Sequence, residues 1–287
     1  MNAYRVAVTD YGFPNLIPEK GILEPLGFTF VTGQCRTAEE VAELCRDADA
    51  VLTQWAPVTA DAIRAFTRCR VIVRYGIGVD NVDLEAARER GIPVVNVPDY
   101  AVQEVADHTL ALTLAIVRKI PRVVEQVRKG RWDIAPCRPI MGLQDKTFGV
   151  AGFGNIARAV AKRAKAFGMK VIGYDPYVEA AAFAEHGVEK VEWDALLAMS
   201  DIVSVHMPLT PDTRRKFDVE AFRRMKPTSF LVNTSRGGTV DTQALVHALR
   251  DGEIAGAALD VLELEPIPED HPLLGMEQCI VTSHCAW

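Results

Sequence analysis

The sequence predicts an α/β protein built as two doubly wound parallel-sheet domains, and three observations predict it. Short apolar, β-branched runs recur along the whole chain, helical patterns alternate with them, and a glycine-rich turn stands between a run and a helix in mid-chain. Runs apolar along their entire length and separated by helices are the pattern of parallel strands covered on both faces.

In order, the first set of runs is YRVAV at 4–8, FTFVT at 28–32, AVLTQ at 50–54, VIVR at 71–74 and PVVNV at 93–97. Helical patterns such as AEEVAELCRDA at 38–48 and LEAARERG at 84–91 lie between them, the second closed by Gly91. The long segment 101–130 then precedes a second set: FGVAG at 148–152, KVIGY at 170–174, DIVSVH at 201–206, SFLVN at 229–233, GAALD at 256–260 and CIVT at 279–282. Within that segment, residues 101–118 form a helix whose second half is apolar nearly all round, so it needs cover on two sides. Either a second subunit supplies one side, giving a homodimer through the 101–130 segment, or the helix is buried between the two domains.

Composition narrows the function classes. With 287 residues, 49% hydrophobic and 24% charged, the chain has an ordinary globular balance and room for one large or two medium domains. Lys plus Arg number 32 against 38 Asp plus Glu, and the net charge of −6 argues against nucleic acid or an anionic membrane as partner. The six cysteines are scattered without a CxxC pair, and MNAYRVAVTD lacks a signal-peptide core, so a reducing, cytoplasmic setting is expected. The most apolar stretch, LALTLAIV at 110–117, is far shorter than a membrane span.

The glycine-rich turn, GFGNIA at 152–157, has the frame of a Rossmann-like dinucleotide site: a buried strand before it and an amphipathic helix after it. Gly152 allows the tight turn, Gly154 lets the backbone approach a pyrophosphate, and Ala157 is small enough for close helix–strand packing. The helix N-terminus offers free N–H groups and the positive end of its dipole to phosphates. Asp175, about 20 residues beyond the turn, can accept from the ribose hydroxyls. With no arginine beside it to meet a 2′-phosphate, NAD is favoured over NADP.

Ligands of an open parallel sheet sit beyond the carboxyl ends of its strands. Those ends deliver His206 and Pro208, then Thr234, Ser235 and Arg236, then Asp260, Glu263 and Glu265, and finally His284. Hydride transfer with a keto or hydroxy acid needs a cation for the acid group, which the planar fork of an arginine suits. It also needs a proton donor of pKa near working pH, which a histidine beside a carboxylate suits. His108, His186, His247 and His271 have no matching partner and read as structural, and Cys285 reads as a small buried residue. Glu104 and His108 are four apart on a helix, yet histidines and cysteines elsewhere lack ligand spacing, so no metal site is expected.

The sequence resembles the D-isomer-specific 2-hydroxyacid dehydrogenase family. The resemblance rests on RYGIGVDNVD at 74–83, VADHT at 105–109, GFGNIA at 152–157, HMPLT at 206–210, NTSRGGTVD at 233–241, ALDVLELEP at 258–266 and TSHCAW at 282–287. It implies a cofactor domain inserted into the substrate domain: residues 1–98 a flavodoxin-like substrate domain with a return at 285–287, and residues 99–284 the NAD-binding domain. It implies Arg236, Glu265 rather than Glu263, and His284 as catalytic residues. For the cofactor it implies Gly152, Gly154, Asn155, Ile156 and Asp175, then His206, Met207, Pro208 and Thr213, then Thr234, Ser235, Arg236, Asp260 and His284. For the substrate it implies Tyr75, Gly76, Ile77, Gly78, Arg236 and Trp287, in a cleft that closes to exclude water.

The activity implied is NAD-dependent interconversion of a small-molecule 2-keto acid and a D-2-hydroxy acid. RYGIG and HCAW look closest to the branch of the C-terminal binding proteins, which implies the alternative of an NAD(H)-sensing, corepressor-like dimer with little turnover. HCAW replaces a more common HIGG-like ending, which bears on the choice of substrate. Family members also continue past the position of Trp287 into a helix on the substrate domain, and weakened activity is expected where that helix is absent.

Overall fold

The computed structural model describes residues 4–287. The chain divides into two compact units, the first ending at Tyr100 and the second running from Ala101 to Trp287. Residues 285–287, expected to return to the first domain, group with the second, where Ala286 is buried against Ala101 and Val105.

The first unit runs β1 (Tyr4–Val8), α1 (Ile17–Leu23), β2 (Phe28–Thr32), α2 (Ala38–Cys45), β3 (Ala50–Thr53), α3 (Ala60–Ala65), β4 (Val71–Arg74), α4 (Leu84–Glu89) and β5 (Val94–Val95). Each of the five predicted runs contains its strand, and all pair in parallel in the order β2-β1-β3-β4-β5. The helices start where the sequence supplies caps. Thr37 accepts from Glu40 N while the Glu40 carboxylate takes Thr37 N, and Thr59 and Asp83 cap α3 and α4.

At the carboxyl ends of β1 and β3 the buried Asp10 binds both strands. Its Oδ1 accepts from Thr9 Oγ1 (2.7 Å), Thr53 Oγ1 (3.3 Å) and Gln54 N (3.0 Å), and its Oδ2 from Trp55 N (2.6 Å). Four donors make a buried carboxylate tolerable, because desolvation is offset only where each oxygen is hydrogen-bonded.

The second unit opens with α5 (Val102–Val117) and α6 (Ile120–Arg128) and continues β6 (Thr147–Ala151), α7 (Asn155–Ala166), β7 (Lys170–Tyr174), α8 (Ala180–Glu185) and β8 (Glu189–Lys190). It then runs α9 (Trp193–Met199), β9 (Ile202–Val205), α10 (Val219–Arg224), β10 (Phe230–Asn233), α11 (Thr242–Asp251), β11 (Gly256–Leu259) and β12 (Cys279–Val281). The seven strands lie in the order β12-β11-β10-β9-β6-β7-β8, all parallel. The chain order reverses between β6 and β9, and a crevice for a ligand opens at such a switch point. Strand β8 has no predicted counterpart, since two polar residues make no apolar run.

Alternate residues of the strands feed two cores, one per sheet face. Phe148, Val150 and Ile202 join α5 and α7 on one face, and Ala151, Val203 and Val205 join α9 to α11 on the other. The apolar surface of α5 is covered within its own unit, by α7, β10 and β11: Leu110, Leu112, Ile116 and Val117 are all buried. The exposed apolar face of this segment is instead on α6, where Ile120, Val124 and Val127 are exposed, and continues to Trp132 at 92% exposure. Among the described residues, no helix is long and apolar enough to cross a membrane.

Candidate functional site

The glycine-rich turn joins β6 to α7 at the switch point. Gly152 has φ 94°, and a Cβ there falls 2.7 Å from the carbonyl oxygen of His206, so both conformation and space require glycine. The turn is tied to the next strand: Gly152 N donates to Tyr174 O (2.7 Å) and Phe153 N to Asp175 Oδ2 (2.9 Å). Phe153 stacks on Phe183 at 3.9 Å beneath it. Gly154 stands at the exposed start of α7 with nothing within 4 Å of an added Cβ, which leaves room for a pyrophosphate over the first N–H groups of the helix. Ala157 is fully buried, the packing role expected of the third small position. Asn155 is exposed beside the turn, whereas the Ile156 side chain packs toward Ala101, Val105 and Ala286. Asp175 also takes Tyr177 N through Oδ1 (2.9 Å), so its carboxylate is held in place while keeping lone pairs for hydroxyl donors. These residues fit a dinucleotide.

The loop after β9 carries His206, Met207, Pro208 and Thr213. His206 is half-buried, and desolvation of its ring pushes its pKa down to about 3, while its Nε2 bonds Ser204 Oγ at 2.9 Å. The Met207 side chain belongs to the core, while its carbonyl accepts from Ser235 Oγ. Thr213 stitches the loop together, donating to Pro208 O (2.5 Å) and accepting from Thr210 N (2.8 Å). The buried Thr234 bonds Thr109 of α5 through their hydroxyls at 2.8 Å.

Arg236 follows β10 on a turn built by Asn233, whose Nδ2 donates to Arg236 O (3.0 Å) and whose Oδ1 accepts from Ser235 N (3.0 Å). An added Cβ on Gly237 falls 1.9 Å from the backbone carbon of Leu262, so this glycine brings the arginine turn against the loop after β11. That loop carries Glu263 and Glu265. Glu263 is structural: it takes Arg215 Nε and Thr242 N, both at 2.9 Å. Glu265 is anchored by Leu262 N to Oε1 (2.8 Å) and meets His284 Nδ1 with Oε2 at 2.7 Å.

His284 is held by its backbone as well as its ring. Its φ of 55° is left-handed, its N–H donates to Asp260 O (2.9 Å), and its carbonyl accepts from Trp287 Nε1 (2.9 Å). The Asp260 carboxylate, 1% exposed, organises the same turn by accepting from Thr282 Oγ1 (2.5 Å), Cys285 N (3.0 Å) and Ala286 N (3.0 Å). In the first unit, the segment Tyr75 to Gly78 leaves β4 through Gly76 at φ 155°. Asn96 Nδ2 donates to Ile77 O (2.7 Å), Val97 N donates to Gly76 O (3.0 Å), and among the described residues no acceptor takes the N–H of Ile77 or Gly78.

Two expectations are corrected here. His108, read as lacking a partner, places Nε2 3.5 Å from Asp260 Oδ1 and 3.3 Å from Thr282 Oγ1. Cys285, read as a small buried residue, is exposed, although both its backbone N–H (3.0 Å) and its Sγ (3.6 Å) reach Oδ1 of the buried Asp260. Sequence reasoning also missed the supporting roles of Asn233 and Thr282. An asparagine closing an apolar strand before a Ser-Arg-Gly turn is a legible signal for the first; the second depends on a contact 22 residues away.

A glycine-rich turn open to a pyrophosphate and a histidine paired with a carboxylate both lie beyond strand ends of one parallel sheet, and the turn fits a dinucleotide. Comparison with known proteins agrees. Residues 110–286 match the profile of the D-isomer specific 2-hydroxyacid dehydrogenase NAD binding domain. The chain is 45% identical over 266 residues to D-3-phosphoglycerate dehydrogenase of Methanocaldococcus jannaschii, covering 92% of this chain and 50% of that one. It is 38% identical to hydroxypyruvate reductase of Thermotoga maritima, over 99% of this chain and 92% of the relative. D-lactate dehydrogenase of Aquifex aeolicus, solved with NAD and lactic acid, superposes with a TM-score of 0.89 at 28% identity, covering 98% of this chain and 89% of that one. The chain belongs to the D-isomer-specific 2-hydroxyacid dehydrogenase family and carries its NAD-binding domain. It spans about half the length of the M. jannaschii enzyme.

Gly154→Ala is expected to leave thermal stability within about 1 kcal/mol of wild type, the usual scale of an N-cap change, while sharply weakening NADH binding in a fluorescence titration. Gly152→Ala loses both, because its Cβ meets backbone. A pH series tests His206. Its folded-state pKa is depressed below the ordinary histidine value, so between about 6.5 and about 3 the unfolded chain binds a proton that the native site refuses. Stability therefore falls as pH drops through that window, and His206→Gln flattens the fall measured by urea denaturation.

Proposed function

We propose that this protein interconverts a 2-keto acid and a D-2-hydroxy acid with NAD(H), and that the observation carrying this reading is the 2.7 Å bond between His284 Nδ1 and the accepting Oε2 of Glu265. With Nδ1 committed to the carboxylate, Nε2 is the nitrogen left to give a proton to a carbonyl oxygen, or to take it back from a hydroxyl. Bound NADH supplies the hydride for the carbonyl carbon. Glu265 is the positioning group, itself fixed by Leu262 N. Arg236 presents a planar guanidinium to the substrate carboxylate and polarises the neighbouring carbonyl. Trp287, in the same unit as Arg236, is assigned to the substrate, and within the first unit the segment Tyr75 to Gly78 is assigned to it through the open N–H groups of Ile77 and Gly78.

In the same reading, the cofactor is held by the turn of Gly152, Gly154, Asn155 and Ile156, by Asp175, by the strand ends at His206 to Pro208 and Thr234 to Arg236, and by Asp260. Names such as hydroxypyruvate reductase and D-lactate dehydrogenase among the relatives support turnover over the corepressor-like alternative. The exposed apolar stripe of α6 supports a homodimer through residues 120–134, and six unpaired cysteines support a reducing, cytoplasmic setting.

NADH oxidation measured with hydroxypyruvate, glyoxylate and pyruvate is expected to show turnover on at least one acid. His284→Ala should lower kcat about 10²- to 10⁴-fold with NADH still bound. Tight NADH binding without turnover on any of these acids overturns the enzyme reading in favour of the sensor. For the assembly, sedimentation equilibrium of Val124→Glu should give a monomer where the wild type gives a dimer; an unchanged mass refutes the α6 interface.

A further inference from the structure

Three potential metal ligands converge beside the histidine turn. The ligand atoms of His108, Asp260 and Cys285 all lie within 4.8 Å of one another. Cys285 Sγ stands 3.6 Å from Asp260 Oδ1, and His108 Nε2 stands 3.5 Å from the same oxygen. Tetrahedral zinc, with bonds of about 2.3 Å to sulfur and about 2.0–2.2 Å to nitrogen and oxygen, separates its sulfur and oxygen ligands by about 3.6 Å and its nitrogen and oxygen ligands by about 3.4 Å. These two edges match a tetrahedral cation, and the third, from His108 Nε2 to Cys285 Sγ, lies within 4.8 Å.

The surroundings suit a cation as well. The donors come from three packed elements of one unit: α5, the end of β11 and the turn after β12. Asp260 forms the buried floor, the His108 side chain is 24% exposed, and Cys285 opens to solvent, which provides an entry path and a fourth position for water. Thr282 Oγ1 and Cys285 N bond Asp260 Oδ1 and the Ala286 N–H bonds Oδ2, so the carboxylate is already oriented, and a cation on Oδ1 takes the place of the Thr282 hydroxyl.

We propose that His108 Nε2, Asp260 Oδ1 and the Cys285 thiolate form a site for a thiophilic divalent cation such as zinc, and that its occupation excludes NADH. On binding, the thiol proton leaves to solvent and a metal–sulfur bond forms, with no change of oxidation state. The exclusion rests on the reading above, in which Asp260 faces the cofactor: an Asp260 oxygen bound to a cation is withdrawn from it, and the turn bearing His284 is locked. Cation binding itself does not depend on that reading.

Titration of the protein with Co²⁺ alone tests the site. Bound as proposed, one cobalt per chain gives the intense visible bands of tetrahedral cobalt and a near-ultraviolet sulfur-to-cobalt charge-transfer band, and Zn²⁺ bleaches both. Cys285→Ser should abolish the charge-transfer band, and His108→Gln should weaken binding at least about tenfold, the lower range for disturbing a metal site. Cobalt should also shield Cys285 of the unaltered protein from iodoacetamide, read by mass spectrometry, a result that needs no variant to fold. Only the faint spectrum of octahedral cobalt, full binding in His108→Gln, or unshielded Cys285 overturns the site. NADH added to the cobalt-loaded protein should release the metal; retention of both ligands together overturns the exclusion alone. Absence of turnover in the enzyme assay leaves these spectra unaffected, so failure of the catalytic reading is distinguishable.

Discussion

The candidate catalytic turn depends on one buried carboxylate. Asp260 ends β11 with its N–H on Asn233 O of the neighbouring strand, so its position is set by the sheet. From there its oxygens gather Thr282, Cys285 and Ala286, and its carbonyl takes the N–H of His284. A buried carboxylate without donors is costly, and here the turn's own backbone supplies them. The sheet thus dictates the turn, the turn dictates His284, and Glu265, fixed on the loop that begins at the same strand end, orients the ring.

Two contacts without side chains have comparable weight. Gly152 lets the nucleotide turn lie against the backbone of His206, and Gly237 lets the arginine turn lie against Leu262. Each brings together chain segments that belong to different strands of one sheet. Because backbone meets backbone, neither approach can be relieved by choosing another rotamer, and the site's geometry is as rigid as the strands beneath it.

Much of this was legible in the residues. The apolar runs marked nearly every strand because parallel strands buried on both faces leave a continuous signature. The turn at 152–157 and the positions of Arg236, Glu265 and His284 in segments that follow strands were readable from motif order. Less legible were features that arise from long-range contact. Periodicity recorded that α5 is apolar but not that its own unit covers it, and it passed over α6, whose exposed valines resemble any amphipathic helix. His108 looked unpartnered because its partner, Asp260, is more than 150 residues away in sequence. Cys285 looked like core because residue type predicts average burial, while here the residue is exposed and both its peptide N–H and its thiol face a single buried carboxylate.

The left-handed backbone of His284 also filters what this position can become. Outside glycine, that conformation is visited chiefly by asparagine, aspartate and histidine, and β-branched residues are barred from it by their own carbon skeleton. Of the admitted residues, histidine alone carries a side chain that exchanges a proton near neutrality. A lineage exploring replacements here therefore meets backbone incompatibility with most residues before it meets altered chemistry, and the few the backbone admits, asparagine and aspartate among them, lose that proton exchange.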